Sequence, residues 1–330
     1  MPDSLLDPEL DAVRLTPDDE ADALLVGGVD LHTHPGPSPF PRRMTILDAA
    51  RDAADFGFRA IVAKSHHHSM QTDILALGPA GLDEVPVKVF GGVALNRTIG
   101  GINPYAVELA LRMGGRVVWF PTLSSRAHVA HHHAGGGFPV SGIRLRDHEA
   151  ISVVGEDGKV TADVREVLAV IAEEGAIMNC GHLPADEIDV LIPAAREAGV
   201  ERILVSHPGF IIGGSPERTA SWAGQGAYIE HCLAFLMGAS APGDLSPFQP
   251  FIDAVGVSQS IFSSDLGQAG NPLPLTGYRR LVRLLLEAGY TEEDIRTMTG
   301  GNAAGLLLRP EDADVPPATG DAAREVSVAR

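Results

Sequence analysis

Two histidines separated by a single residue, His32 and His34, end a strand-like run near the start of the chain. Side chains two residues apart on a strand project in the same direction, so both imidazoles can reach one point. Histidine nitrogen is a common ligand of zinc, at about 2.0–2.1 Å. The pattern therefore predicts the first two ligands of a metal centre, and the alternative is a pair of solvent-facing loop histidines.

A second set of metal-binding side chains follows later strand-like runs. His182, His207 and Asp265 come one or two residues after the segments AIMNC, RILVS and SIFS. A single histidine after a strand is commonly structural. Imidazole and carboxylate groups at the ends of several separate strands, however, form the ligand set that zinc-like divalent ions use. We therefore predict that all three residues belong to the metal centre.

Several polar residues near predicted strand ends are weaker candidates for substrate contacts. The three consecutive histidines at 66–68 cannot all point at one metal from an extended backbone, and His66 is favoured because it lies two residues from Lys64. The histidines at 128 and 131–133 could contact substrate, bind metal or be solvated. The other candidates for substrate binding are Asn96, Arg97, Arg126 and Arg144.

Alternating strand-like and helix-like segments position these residues. The predicted strands are 24–31, 59–64, 87–95, 116–120, 176–180, 202–206, 227–230 and 260–263, and the predicted helices are 46–56, 104–113, 164–174, 185–198, 275–288 and 291–298. Such alternation predicts an α/β fold, a closed (β/α)8 TIM-type barrel whose strand ends surround one cavity. A doubly wound open sheet is the alternative, but no glycine fingerprint follows the first strand.

The chain divides into a barrel and two flanking segments. We predict an acidic N-terminal segment at 1–24, a barrel at 25–309 and a disordered tail at 310–330. Residues 124–160, after the fourth strand, are rich in Gly and His and are predicted to be a lid insertion, with a small hairpin around Asp157-Gly158. Much of the net charge of −18 lies in the two end segments, where it aids solubility.

Composition excludes several classes of function. The 330 residues are 45% hydrophobic and 21% charged, as in ordinary globular proteins, and no apolar run is long enough to span a membrane. No cluster of Lys and Arg that could bind nucleic acid is present, and no signal peptide is apparent. Cys180 and Cys232 alone suggest no disulfide framework and fit the cytoplasm. We expect a small-molecule substrate, and the composition leaves open whether the chain forms a homo-oligomer.

The ordered set His32, His34, His182, His207 and Asp265 resembles the amidohydrolase superfamily of metal-dependent hydrolases. Residues 300–307, GGNAAGLL, also resemble the closing segment of that superfamily, and the resemblance covers roughly residues 25–309. It is greatest to a little-characterised branch. The resemblance implies a hydrolase with one or two divalent ions, zinc above all, but it implies no particular substrate.

One position departs from that resemblance. Binuclear members have a carboxylated Lys or a Glu after strand four, where this chain has Phe120-Pro121-Thr122. Lys64, at the end of the second strand, is a candidate substitute, because burial can lower the pKa of a lysine by several units and leave the neutral amine that reacts with carbon dioxide. The alternative is that Lys64 is an ordinary cation that binds a substrate carboxylate or phosphate. The first reading gives two metals and the second favours one.

We predict hydrolysis of an amide, lactone or ester bond by a metal-activated hydroxide. Asp265 would accept the proton of the water and return it to the leaving group, and His207 would be a ligand or a second polarising group. One alternative is a phosphoesterase of the polymerase-and-histidinol-phosphatase type. Against it, no late His-x-His or Asp-x-His pair is present, since Leu266 and Gly267 follow Asp265. The other alternative is a non-catalytic metal-binding barrel.

Overall fold

Parallel strands form the centre of the molecule. The computed structural model describes residues 5–135, 141–147, 149–237 and 242–312. Within these ranges the strands are β1 Val29–Thr33, β2 Ala60–Ala63, β3 Lys88–Phe90, β4 Gly92–Ala94, β5 Val117–Trp119, β6 Ile177–Asn179, β7 Arg202–Ser206, β8 Tyr228–Cys232 and β9 Ser260–Ser263. Every strand pairing is parallel and follows chain order, as the predicted alternation of strands and helices requires.

The strands fall into two hydrogen-bonded sheets that meet at both ends. β3 and β4 are the two halves of the strand predicted at 87–95, interrupted at Gly91, whose N–H donates to the Gln71 side chain. At the other end β9 meets β1, because the Asp265 N–H donates to the His32 carbonyl at 2.7 Å and the His34 N–H donates to the Leu266 carbonyl at 2.8 Å. The arrangement is the predicted (β/α)8 TIM-type barrel.

Helices connect the strands and cover the barrel. They are α1 Ala12–Leu15, α2 Asp19–Leu25, α3 Ile46–Asp55, α4 Gln71–Leu77, α5 Pro104–Arg112, α6 Arg126–His133, α7 Ala162–Glu173, α8 Ala185–Glu197, α9 Pro216–Gly224, α10 Gln249–Val255, α11 Pro274–Glu287, α12 Glu292–Arg296 and α13 Asn302–Leu307. Local sequence explains their starts: Thr45 and Asp48 form a capping box before α3, and Thr291 and Asp294 form another before α12. None of the described helices is long and apolar enough to cross a lipid bilayer.

An apolar layer fills the barrel beneath the strand ends. Val29, Leu31, Val62 and Ile177 from the strands are buried together with residues of α13. Two further clusters lie between the strands and the surrounding helices. Because the apolar side chains fill the barrel's lower layers, the polar side chains at the carboxyl ends of the strands lie above a packed floor.

The N-terminal segment differs from the prediction of a solubilising acidic tail. Residues 19–25 form α2, so the first strand starts at Val29 and not at residue 24. Ala21, Leu24 and Leu25 are buried against the core cluster that contains α11. The acidic side chains of this segment pair with arginines of α11, as Asp22 does with Arg279 at 2.6 Å. Sequence charge alone did not reveal these partners.

The predicted insertion contains α6 and the predicted small hairpin. Val154 pairs with Val160 in an antiparallel bridge, and the Gly155 N–H donates to the Lys159 carbonyl at 2.8 Å. Residues 136–140 and 148 lie outside the described residues, as does 313–330 of the predicted disordered tail. The first residues of that tail, Pro310–Asp312, form a short 3-10 helix, and Asp312 accepts hydrogen bonds from Arg116.

Candidate metal centre

His32 and His34 lie at the carboxyl end of β1, and both side chains are 1% exposed. The hydrogen-bond partner of each Nδ1 fixes the direction of the ring. His34 Nδ1 lies 3.2 Å from the Lys64 carbonyl oxygen, which can only accept, and His32 Nδ1 lies 3.2 Å from Glu230 Oε2. Both Nδ1 atoms therefore donate, and both Nε2 atoms present a lone pair to the barrel mouth.

Asp265 joins these two lone pairs. Its Oδ1 lies 3.0 Å from His34 Nε2 and 3.3 Å from His32 Nε2, and the two Nε2 atoms are 3.2 Å apart. Three electron-pair donors this close together are stabilised by a cation, and besides a metal ion the Lys64 Nζ lies 2.9 Å from His32 Nε2. The Asp265 side chain is 18% exposed, so this ligand is the one that faces the entrance. The donor set fits a divalent zinc-like ion.

The protonation states of these groups suit metal binding. Burial lowers the pKa of His34 to about 3 and that of His207 to about 4, so both imidazoles are neutral at pH 7. Burial alone would raise the pKa of Asp265, but the neighbouring histidines hold it well below its usual range. Neutral imidazole and ionised carboxylate are the forms that coordinate metals.

Lys64 lies beside this cluster, and its predicted role as a metal ligand stays a prediction. It is 1% exposed, and its Nζ is 2.9 Å from His32 Nε2 and 5.5 Å from the centre of the Trp119 ring. Burial lowers the pKa of Lys64, against the opposing charges of Asp265 and Glu230. The residue can therefore reach the metal ligands directly from the end of β2.

The backbone at two predicted ligands adopts a conformation that is uncommon for residues other than glycine. His207 has φ 35° and Asp265 has φ 51°. Such left-handed residues cost free energy and cluster at functional sites. Next to Asp265, Gly267 has φ 123°, and a Cβ there would lie 2.3 Å from the His34 carbonyl oxygen. This glycine lets the segment after β9 approach β1 closely enough for Asp265 to reach both histidines.

The remaining predicted ligands line the same mouth. His207, Cys232 and Asp265 have ligand atoms within 4.8 Å of one another, and His207 Nδ1 has no hydrogen-bond partner among the described residues. The His182 ring packs 4.9 Å from the His207 ring, and its Nδ1 shares a 3.3 Å hydrogen bond with His128. His182 is in none of the converging triads of the described residues, so its role as a ligand stays a prediction.

His66 also lies at the mouth, stacked on His34 with ring centroids 4.9 Å apart. Its Nδ1 is 2.9 Å from Thr122 Oγ1, and burial lowers the pKa of His66 well below the usual value. The neutral ring is placed beside a metal ligand, where a substrate that reaches the metal would contact it. Its predicted contact with a substrate stays a prediction.

Three predicted substrate contacts have other partners. The Asn96 amide donates to the His66 carbonyl and Thr122 Oγ1, and its oxygen accepts from the N–H groups of Thr122 and Ser124. Asn96 therefore connects the loop of His66 to the loop of Thr122 and Ser124. Arg97 donates to the carbonyls of Glu149 and Ala150 in the insertion. Arg126 pairs with Asp186 and Glu187 of α8. The described partners of the three residues are thus protein groups, and their contact with a substrate stays a prediction.

Glu230 and Cys232 are site residues that the sequence reading missed. The seventh predicted strand stops at Glu230, whereas β8 continues to Cys232. Because alternate residues of a strand share a face, both side chains point into the barrel. His32, Glu230 and Cys232 have ligand atoms within 4.8 Å of one another. A longer seventh strand would have revealed a carboxylate and a thiol two residues apart, the same spacing that revealed His32 and His34.

Comparison with solved structures supports the fold. An amidohydrolase from Pseudomonas aeruginosa is similar with a TM-score of 0.59 and 12% identity over 87% of this chain and 97% of that one. The probable dipeptidase PvdM from the same organism gives 0.58 and 12% over 86% and 95%. An amidohydrolase from Burkholderia multivorans gives 0.50 and 14% over 85% and 99%. At these identities the similarity establishes the architecture alone.

Sequence comparison gives the family. No curated protein matches the chain with significant similarity. One family model, described as a family of unknown function (DUF6282), matches residues 27–230, which is more than half of the chain and includes every strand from β1 to the middle of β8. The chain therefore belongs to this family of unknown function, DUF6282.

Proposed function

We propose that the protein is a metal-dependent hydrolase of the amidohydrolase type that cleaves an amide, lactone or ester bond of a small molecule. The observation that carries the proposal is the convergence of two imidazole lone pairs and one carboxylate oxygen, from His32, His34 and Asp265, within 3.3 Å of one another. Similar folds belong to proteins described as amidohydrolases and as a probable dipeptidase, which agrees with hydrolytic chemistry.

The chain's residues divide the work between holding the ion and moving protons. A zinc ion bound to this set would acidify a water molecule and polarise a carbonyl group. Asp265 is placed to accept the proton from the attacking water, because its carboxylate is ionised and is the most exposed of the three ligands. It can return that proton to the leaving group. Glu230 holds His32 in the tautomer whose Nε2 lone pair would be available to a bound ion.

A second ion needs a further bridging ligand, and Lys64 is our candidate. The amine of Lys64 is within reach of the ligands, since its Nζ lies 2.9 Å from His32 Nε2. Its lowered pKa favours the neutral amine, which is the form that carbon dioxide carboxylates. A carboxylated Lys64 would supply two oxygens to two ions. An uncarboxylated Lys64 would leave one ion and a cation beside the substrate.

The proposal is tested by a panel of small amides, lactones, esters and phosphate esters assayed with the zinc-loaded full chain. We expect hydrolysis of at least one carbon–heteroatom substrate and a loss of kcat of about a hundredfold or more in Asp265→Asn, since general acid–base groups contribute about 10²–10⁴-fold. Asp163→Asn, at an exposed position on α7, is the matched control and should keep full activity. Turnover of phosphate esters alone, or full activity in Asp265→Asn, contradicts the proposal.

A further inference from the structure

A cleft lies beside the metal centre and shares one wall with it. Its volume is about 650 Å³, and it is lined by the proline-rich loop at 36–42, by His68 and by Gly142 and Ile143 of the insertion. Phe40 forms part of the wall, with its ring 6.3 Å from that of His66. Arg42 is the part of the wall nearest the ligands, and its Nη2 lies 3.5 Å from His34 Nδ1. Because that Nδ1 donates to the Lys64 carbonyl, the two groups touch without a hydrogen bond between them.

Arg42 has few partners for an enclosed guanidinium, although the nearby charge of Asp265 opposes the effect of burial on its pKa. Its Nε is fully buried and makes no hydrogen bond within the part of the chain that the structure describes. Among those same residues no carboxylate forms an ion pair with it. The Arg42 guanidinium instead lies 5.8 Å from the centre of the Phe40 ring. Burial lowers the pKa of Arg42 to about 10, so it stays charged at pH 7.

Other enclosed arginines of this acidic chain have carboxylate partners. Arg14 pairs with Asp52, Arg43 with Asp11, and Arg279 with Asp22. Arg43 directly follows Arg42 in the sequence, so of two successive arginines one has a carboxylate in ion-pair contact and the other does not. A partly buried cation without a carboxylate in direct contact is costly, and a bound anionic ligand would supply the missing contact.

The backbone fixes Arg42 relative to Asp265. Arg42 forms an antiparallel bridge with Gln268, and the Arg43 N–H donates to the Gly267 carbonyl at 2.9 Å. The Gln268 side chain donates in turn to the Asp265 carbonyl at 2.8 Å. The loop that carries Arg42 is thus tied to the loop that carries a metal ligand, so the backbone places Arg42 next to Asp265.

We propose that Arg42 binds an oxyanion of the substrate, a carboxylate or a phosphate group, in the cleft beside the scissile bond. This inference rests on the proposed function for the reacting centre and names the substrate class as anionic. The free Nε and the neighbouring Nη2 form the edge of the guanidinium that binds an oxyanion through two parallel hydrogen bonds. The apolar ring of Phe40 excludes water from one face of that contact.

Calorimetric titration of the zinc-loaded full chain tests the proposal with three probes: glutarate, inorganic phosphate and the neutral glutaramide. We expect at least one of the two anions to bind and glutaramide to bind at least tenfold more weakly. Arg42→Gln should weaken anion binding about tenfold or more, because a charge-assisted hydrogen bond contributes that much. The tighter of the two anions identifies the group. Arg51→Gln, an exposed arginine on α3, is the matched control and should bind as the wild type does.

Arg42→Lys keeps the charge but cannot form two parallel hydrogen bonds, so we expect its anion affinity to lie between those of the wild type and Arg42→Gln. This variant also keeps the test valid if Arg42→Gln does not fold. Equal binding of the anions by wild type and variants, equal binding of glutaramide, or no binding of either anion overturns the proposal. Zinc content measured in the same samples separates the two claims. Anion binding that depends on Arg42 in a chain that holds no zinc would overturn the proposed function and leave the anion site standing.

Discussion

At the scale of single residues, the centre is defined by where lone pairs point. Glu230 Oε2 accepts from His32 Nδ1 and from the Ser206 hydroxyl, and its electrostatic attraction to His32 together with these hydrogen bonds outweighs burial and lowers the pKa of Glu230 to about 2. An ionised, buried carboxylate behind a histidine raises the basicity of that ligand and fixes its orientation. Glu230 therefore acts as a positioning residue for the metal centre, although it can also offer its free Oε1.

The role of Glu230 predicts the effect of a conservative change. Glu230→Gln keeps the shape of the side chain but removes its charge, so His32 can adopt either tautomer. We expect zinc affinity, measured by competition with a chromogenic chelator, to fall about 10–100-fold. Glu293→Gln, at an exposed position of α12, should leave the affinity unchanged. An unaltered zinc affinity in Glu230→Gln would show that the carboxylate does not orient His32.

The sequence predicted residues of this site well where a side chain's role follows from the end of a strand. His32, His34 and Asp265 were found because each follows a clear apolar run, and the structure brings them together. Glu230 and Cys232 were missed because β8 was drawn two residues short. For Asn96, a sequence does not say whether a polar side chain after a strand faces a ligand or the next loop, and the structure shows it bonded to His66, Thr122 and Ser124.

At the scale of elements, the N-terminal segment is the clearest difference from expectation. Asp11 is fully buried and accepts hydrogen bonds from Arg43, from the Asp7 and Leu273 N–H groups and from the Thr276 hydroxyl. Burial alone would raise the pKa of Asp11, but these hydrogen bonds outweigh it and lower the pKa below the ordinary 3.8. Asp11 thereby joins the N-terminal segment to the loop of Arg43 and to α11.

This network predicts a dependence of stability on pH. Because the folded pKa of Asp11 is depressed, its contribution is fully present above the unfolded pKa of 3.8 and is lost as pH falls through the lower folded value. At pH 7, Asp11→Asn should lower the free energy of unfolding by about 2 kcal/mol, as expected for hydrogen bonds to a charged group.

Urea unfolding of the full chain from pH 7 down to pH 3 measures this effect, with Glu9→Gln as an exposed control on the same segment. The difference between wild type and Asp11→Asn should shrink below about pH 4, the ordinary range of a carboxyl group. A difference that stays constant down to pH 3 would mean that Asp11 stabilises the fold through something other than its charge.

At the scale of the whole molecule, the alternation of strand-like and helix-like segments predicted the barrel but not its irregularities. Eight alternating units were enough to predict a (β/α)8 architecture, which the structural similarity supports. The break at Gly91 and the closure of β9 onto β1 depend on contacts between distant segments, such as the approach of Gly267 to the His34 carbonyl. Similar contacts between loops place Arg42 at the mouth of the barrel, and the local sequence of the proline-rich loop does not predict these contacts.

The barrel also explains why ligands far apart in sequence form one centre. β1 and β9 lie at opposite ends of the chain, yet the hydrogen bonds between their ends put Asp265 against His32 and His34. A metal bound there would connect the first and last strands of the barrel. Its binding free energy would then add to the stability of the folded state.

The metal content of the purified full chain tests the central claim most directly. After growth with zinc and dialysis against metal-free buffer, we predict at least about one zinc per wild-type chain by elemental analysis, since three converging protein ligands hold a catalytic zinc and leave one position for water. His34→Asn should hold far less, and His133→Asn, an exposed histidine of α6, should hold as much as the wild type. A wild-type chain without stoichiometric metal after growth with zinc and this dialysis, or a His34→Asn variant with undiminished metal, would contradict the account.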